Sequence, residues 1–228
     1  MRAGRVRICD ILACGFLDAI LELREATTPL ERLETNWFSL ESARRVYAMY
    51  LRLDVDQNGM LSRQELAALV KLRVLIYSVV FEPNTLYFFK KITIRYNNGS
   101  LTDAFLDRVF QECMTYEGEM DYKAFLDFVL AMENRAEPQA ISFLFHIIDL
   151  CGRGRLCCQT MEFYFNAVLT RLGEGPDVPK FSDILNEIFD MVRPRNPDFI
   201  TLDDLLKSYV CSSLHGLLAV ILLLQCFI

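Results

Sequence analysis

The residues most able to do chemistry lie in one short run, Asp54-Val-Asp56-Gln-Asn58-Gly59-Met60-Leu61-Ser62-Arg-Gln-Glu65. The side-chain oxygens of Asp54, Asp56 and Asn58 and the backbone carbonyl of Met60 can converge on one point. Ser62 can join them directly or through a water, and Glu65 can close the shell with both carboxylate oxygens. All of these donors are hard oxygens and three of them are carboxylates, so the expected ligand is Ca2+. Gly59 supplies the sharp turn, which a residue with a Cβ resists. A merely solvated acidic turn would not explain the flanks. Val46, Met49, Tyr50 and Leu53 precede the run at helical spacing, and Leu66, Leu69 and Val70 follow it in the same way. Ser39 is the expected N-cap of the incoming helix.

Helix, twelve-residue oxygen loop, helix is the pattern of an EF-hand. Its register recurs along the chain. Ile141, Leu144, Phe145 and Ile148 stand before Asp149 as the first set stands before Asp54, and Leu156 takes the place of Leu61. Met161, Tyr164 and Phe165 then open the outgoing stripe. Leu185, Ile188, Phe189 and Val192 precede Arg193, with Ile200 in the central slot and Leu205 after it. A further copy has Leu106, Val109, Phe110 and Cys113 before a loop one residue shorter, centred on Met120, and Phe125, Phe128 and Val129 follow. Gly4, Val6 and Ile11 read as the second half of one more loop. The expected fold is therefore all-α, of the EF-hand superfamily, with one live loop and several degenerate ones.

The degenerate loops are not expected to hold calcium. Arg153 stands in a ligand slot of the Asp149 loop, and Thr160 stands where the chelating Glu belongs. Arg193 and Arg195 fill ligand slots in the next loop, with Pro197 between them, and Ala124 takes the closing position of the Met120 copy. Positive charge in these slots repels a divalent cation. Such hands keep the fold and pair with a neighbour, so Leu61 is expected to meet Met120.

The remaining features narrow the function class. A net charge of −6 argues against a general nucleic-acid binder, which needs clustered Lys and Arg. The basic start Met1–Arg7 is followed by Ile8–Ile20, which Asp10 and Asp18 interrupt, so no signal peptide is expected. Eight cysteines occur with no Cys-x-x-Cys pair and only two histidines, His146 and His215; reduced, mostly buried thiols are expected. His146 lies among core residues and reads as structural. No glycine-rich phosphate loop or supported nucleophile is present, so the chain is not expected to be an enzyme.

Two stretches break the repeat. Leu61 and Met120 are 59 residues apart, against 36 from Met120 to Leu156 and 44 from Leu156 to Ile200. Val70–Tyr96, rich in β-branched and aromatic residues about Glu82-Pro83-Asn84, reads as an inserted hairpin. From Tyr209 to Ile228 there is no Asp, Glu, Lys or Arg. That apolar tail is of marginal spanning length, but Ser212, Ser213, His215 and Gln225 weaken a membrane anchor. The expected organisation is a partial unit and the first complete hand over 1–69, an insertion over 70–98, degenerate hands over 99–208 and a tail over 209–228.

Beyond the repeat, the chain resembles the B'' regulatory subunits of protein phosphatase 2A. The residues that carry the resemblance are Asp10-Ile-Leu-Ala-Cys14, Glu34-Thr-Asn-Trp-Phe-Ser39, Asn58-Gly-Met-Leu61 and Phe105-Leu-Asp-Arg-Val-Phe-Gln-Glu112, with Gly118-Glu-Met-Asp-Tyr-Lys123, Leu126-Asp-Phe-Val-Leu-Ala131 and Glu187-Ile-Phe-Asp-Met-Val192. The resemblance implies a non-catalytic, calcium-binding targeting subunit whose partners are the phosphatase catalytic and scaffold subunits. It also implies cytoplasmic, nuclear and centrosomal locations and a link to the cytoskeleton. The family's N-terminal half, Val70–Tyr96 and the apolar tail are its departures, which suggest a shortened or alternatively spliced form. The rival from another class is a free-standing calcium sensor or buffer, which would carry more live loops and a methionine-rich groove.

Overall fold

A computed structural model describes residues 16–25, 27–29, 32–33, 36–68, 101–135, 137–172 and 180–210. The half-loop expected near Gly4, the insertion expected at 70–98 and the tail from 211 onward lie outside the described residues. The chain divides into two compact units, Met1–Arg52 and Leu53–Ile228.

In the first unit, helix α1 runs Phe16–Glu22 and α2 begins at Leu40, ending at Leu53. The buried Asn36 joins them. Its amide donates to Ala19 O at 2.6 Å and to Glu22 Oε2 at 3.2 Å, while its own carbonyl accepts from Ser42 Oγ at 2.8 Å. Ser39 caps α2 as its sequence position predicts, accepting the Ser42 N–H at 3.1 Å.

The second unit holds α3 (Arg63–Ala67), α4 (Asp103–Glu112), α5 (Tyr122–Glu133), α6 (Pro138–Ile148), α7 (Cys158–Leu172), α8 (Phe181–Val192) and α9 (Leu202–Val210). Strands β1 (Arg155–Cys157) and β2 (Phe199–Thr201) are its described sheet. Helix starts fall where short polar side chains free the backbone from the preceding loop. Ser62, Thr102 and Asp121 each accept the backbone N–H three residues on.

The loops pair through their central apolar residues. Leu61 and Met120 exchange two backbone hydrogen bonds of 2.8 Å, and β1 pairs antiparallel with β2 so that Leu156 faces Ile200. All four of these residues are fully buried. The apolar stripe Ile141, Leu144, Phe145 and Ile148 is buried as its periodicity predicts. In α4, however, Phe110 is only half-buried and Phe105 fills the core instead. Phe105, Leu106 and Val109 share one helix face, and Phe110 falls at its edge.

The two pairs of hands join through α6, which packs on α4, α5 and α9, and through α7, which packs on α4 and α8. Arg108 of α4 reaches across, donating from Nε to Ile147 O at 3.1 Å and from Nη2 to Asp149 O at 3.3 Å. These are carbonyls at the C-terminal end of α6, where a cation also meets the favourable end of the helix dipole. Glu112 holds Arg108 at 2.6 Å and lies 3.1 Å from His146 Nε2. His146 itself is exposed, not core: one step of helical rotation from Phe145 turns it to solvent. No helix among the described residues is long and apolar enough to cross a membrane.

Candidate metal centre

The Asp54 loop begins where α2 ends, and two residues bend it. Gln57 and Gly59 have φ of 57° and 79°, the left-handed region that glycine enters without penalty. The turn brings the first carboxylate inside the loop, where Asp54 Oδ2 accepts the Gly59 N–H at 3.1 Å. Asp56 Oδ1 accepts the Asn58 N–H at 3.1 Å, and Asn58 Oδ1 accepts the Met60 N–H at 2.7 Å. Short polar side chains thus fold the loop back on its own backbone.

Glu65 closes it from α3. Its Oε1 accepts the Val55 N–H at 2.8 Å, and its Oε2 accepts the N–H and the hydroxyl of Ser62 at 2.9 and 2.8 Å. Ser62 returns a bond by accepting the Glu65 N–H, which completes a capping box. Burial pushes the Glu65 carboxyl up, but the donors of Ser62 and the Val55 and Asp56 N–H groups outweigh it. The group is held below its ordinary value of 4.5 and carries its charge.

Asp54, Asp56 and Glu65 each place a carboxylate oxygen within 4.8 Å of the others. Asp54 Oδ1 is buried with no hydrogen-bond partner, a costly condition for a carboxylate oxygen that a cation relieves. This orphaned atom is the structural reason the donor set fits a hard divalent cation. Of the six residues expected to form the site, these three have converging carboxylates. Asn58 and Ser62 point their oxygens to Met60 N–H and Glu65, and Met60 is placed by its N–H. Sequence reasoning missed Glu119, whose Oε2 accepts from Asn58 Nδ2 at 3.2 Å. Its one signal is its place beside Met120, the residue paired with Leu61.

The other loops show how a hand closes without this set. In the Arg193 loop, Asp204 does what Glu65 does. Its Oδ2 accepts the Thr201 N–H at 3.0 Å and hydroxyl at 2.6 Å, and its Oδ1 accepts the Arg195 N–H at 3.4 Å. Burial pushes Asp204 up, but these donors and the Arg195 charge hold it below 3.8. In the Met120 hand, Asp121 caps α5 and Ala124 leaves the closing position empty of oxygen.

Among the described residues, the cysteines depart from the expectation of mostly buried thiols. Cys113 and Cys157 are half-buried, Cys151 and Cys158 are exposed, and all four are free. Three of them fall in the Asp149 loop, and loops face water. Burial, with the charges of Asp127 and Glu112, pushes the Cys113 thiol up to about 11. The Thr160 hydroxyl holds Cys157 below the ordinary thiol value of 9.0, against the contrary effect of burial.

No protein-family model matches the chain. Over 222 residues it is 46% identical to the gamma-type B'' regulatory subunit of serine/threonine-protein phosphatase 2A from Xenopus tropicalis, across 95% of this chain and 44% of that protein. The gamma-type B'' protein of Homo sapiens is 45% identical over 209 residues, 91% of this chain and 40% of its own length. TON2 of Arabidopsis thaliana, a probable B'' regulatory subunit of the same phosphatase, is 36% identical over 217 residues, covering 90% of this chain and 39% of that protein. The chain thus spans less than half the length of these relatives. Among solved structures, a chain of the PP2A PR70 holoenzyme shares the fold, with a TM-score of 0.67 and 24% identity over 92% of this chain and 68% of that one. With such identity held along nearly all of its residues, the chain belongs to the B'' regulatory-subunit family of protein phosphatase 2A.

Proposed function

We propose that this chain is the EF-hand portion of a non-catalytic targeting subunit, one that binds calcium at Asp54–Glu65 and helps bring protein phosphatase 2A to chosen phosphoproteins. The observation that carries this is the 46% identity to a named regulatory subunit across 95% of the chain. The ligands would be Asp54, Asp56, Asn58, Ser62 and Glu65 through side chains and Met60 through its carbonyl. A chain of the solved di-calcium PP2A PR70 holoenzyme has the same fold, which supports calcium as the ion. Bound there, calcium would supply positive charge to three carboxylates and tie the start of α3 to Asp54. The catalytic and scaffold subunits are the proposed partners, and cytoplasm, nucleus and centrosome the proposed locations.

Affinity pull-down with assembled catalytic and scaffold subunits tests the partner assignment, with and without calcium. Retention of the core on the immobilised chain is expected. No retention in either condition would sink the targeting role and leave a calcium-binding module without this partner.

A further inference from the structure

The loop between α6 and α7 keeps the backbone of the Asp54 loop with different donors. Gly152 and Gly154 have φ of 60° and 67°, matching Gln57 at 57° and Gly59 at 79° in the equivalent places. The first carboxylate is seated in the same way. Asp149 Oδ2 accepts the Gly154 N–H at 2.6 Å, as Asp54 Oδ2 accepts that of Gly59. Both aspartates therefore lean across their own loops. Asp149 is 4% exposed, and its Oδ1, like that of Asp54, is buried without a hydrogen-bond partner. A carboxylate oxygen so placed asks for a cation in this loop as much as in the first.

The cation cannot be chosen in the same way, because the donors have changed from oxygen to sulfur. Where the first loop has Asp56 and Ser62, this one has Cys151 and Cys157, and Cys158 follows. The closing position holds the buried Thr160 in place of a chelating Glu. A hard cation finds one carboxylate here, whereas a thiophilic cation finds one carboxylate and two thiols. The sulfurs do not converge as they stand. Cys157 Sγ is turned toward Gln159 Oε1 at 3.7 Å and Thr160 Oγ1 at 3.4 Å, and among the described residues only Asp54, Asp56 and Glu65 bring three ligand atoms within 4.8 Å. Cysteine has a single side-chain torsion, so a rotamer change at each thiol is the motion that binding would ask of it. The arginine nearest Asp149 is Arg108 of α4, whose guanidinium is bonded to the backbone carbonyl of Asp149. Arg153 is exposed, and the Arg155 guanidinium sits over the Phe199 ring, 5.2 Å from its centroid.

We infer that the Asp149 loop is a site for a thiophilic divalent cation of the zinc class, held by Asp149 Oδ1 and the sulfurs of Cys151 and Cys157. Each thiol gives its proton to solvent as its metal–sulfur bond forms, and the remaining coordination position falls to water or to Cys158. The site is independent of the phosphatase assignment and of calcium at Asp54.

Cadmium is the probe, because thiolate ligation gives an ultraviolet charge-transfer band that oxygen ligation does not. The reduced, chelator-treated full chain is titrated with cadmium in saturating calcium. One equivalent is expected to raise the band, and E65Q is expected to leave it intact. C151S/C157S should abolish it while far-ultraviolet circular dichroism matches the parent. D149N should weaken cadmium by about tenfold or more, since even outer-shell partners of metal ligands carry that much affinity. If the double variant loses its helical signal, C151S alone decides, because an exposed side chain can be exchanged without disturbing a core; it too should weaken cadmium by about tenfold or more. A band that survives in C151S/C157S, or C151S binding as the parent does, would place cadmium on other cysteines and overturn the site. So would a band erased by calcium, or no band in the parent.

Discussion

Glu65 carries more of the Asp54 loop than any other side chain, since it accepts three hydrogen bonds before any ion arrives. Replacing it with Gln keeps the size but removes the charge. E65Q is expected to weaken calcium by about 3 kcal/mol, or about a hundredfold, as one charged donor is lost. Calorimetry measures this, and a stoichiometry near two in the parent would overturn the single-site assignment. Both Glu65 and Asp204 are held below their ordinary values in the folded chain. A carboxyl depressed on folding contributes stability above its unfolded value and loses it as pH falls through the folded one. Without calcium, denaturant midpoints should therefore fall as pH drops below about 4.5, and E65Q/D204N should flatten that slope. The thiols make a separate test. With Cys157 held low and Cys113 raised, limiting alkylation near neutral pH should label Cys157 before Cys113, as peptide mass mapping would show.

At the scale of elements, the hands stand as pairs. Leu61 and Met120 are both fully buried and bonded to each other, so truncating either leaves a cavity between two loops. Leu61→Ala should cost about 3 kcal/mol in denaturant unfolding and weaken calcium as well, since the loop loses its brace. An effect on stability alone would separate the ladder from the ion site. Gly59 calls for a different change: nothing lies within 4 Å of the Cβ that alanine would add, so the φ of 79° alone sets the cost. Gly59→Ala should lose about 1 kcal/mol, read in the same way. The ladder also forms despite the long connection from Leu61 to Met120, consistent with a closure entropy that grows slowly with length. Deleting Val70–Tyr96 should accordingly leave calcium binding equal or higher.

Across the second unit, Arg108 links the two pairs of hands. It satisfies two carbonyls at the end of α6 from a helix belonging to the first pair. Arg108→Met keeps the stem but leaves the Ile147 and Asp149 carbonyls without that donor and Glu112 without its arginine partner. A loss of about 2 kcal/mol is expected. The more specific outcome is a broadened thermal transition, because the pairs would no longer melt as one unit. Unchanged, single-step unfolding would show that α6 packing alone holds them together.

Local rules made much of this legible in advance. Oxygen donors at alternate positions, the glycine turn and the apolar stripes are set by residues a few places apart, where backbone geometry dictates who meets whom. Even the pairing of Leu61 with Met120 follows, because each is the central residue of a repeated unit that cannot bury its own face. Four facts needed the tertiary structure. Arg108 capping α6, Glu119 meeting Asn58, the solvent exposure of His146 and the orphaned Oδ1 of Asp149 involve residues brought together across elements or buried by them. Polar contacts of that kind have no period in the sequence. A side chain's partner is chosen by where the helices finally pack, and burial, which sets the cost of leaving an oxygen or a thiol unpaired, exists only once they have.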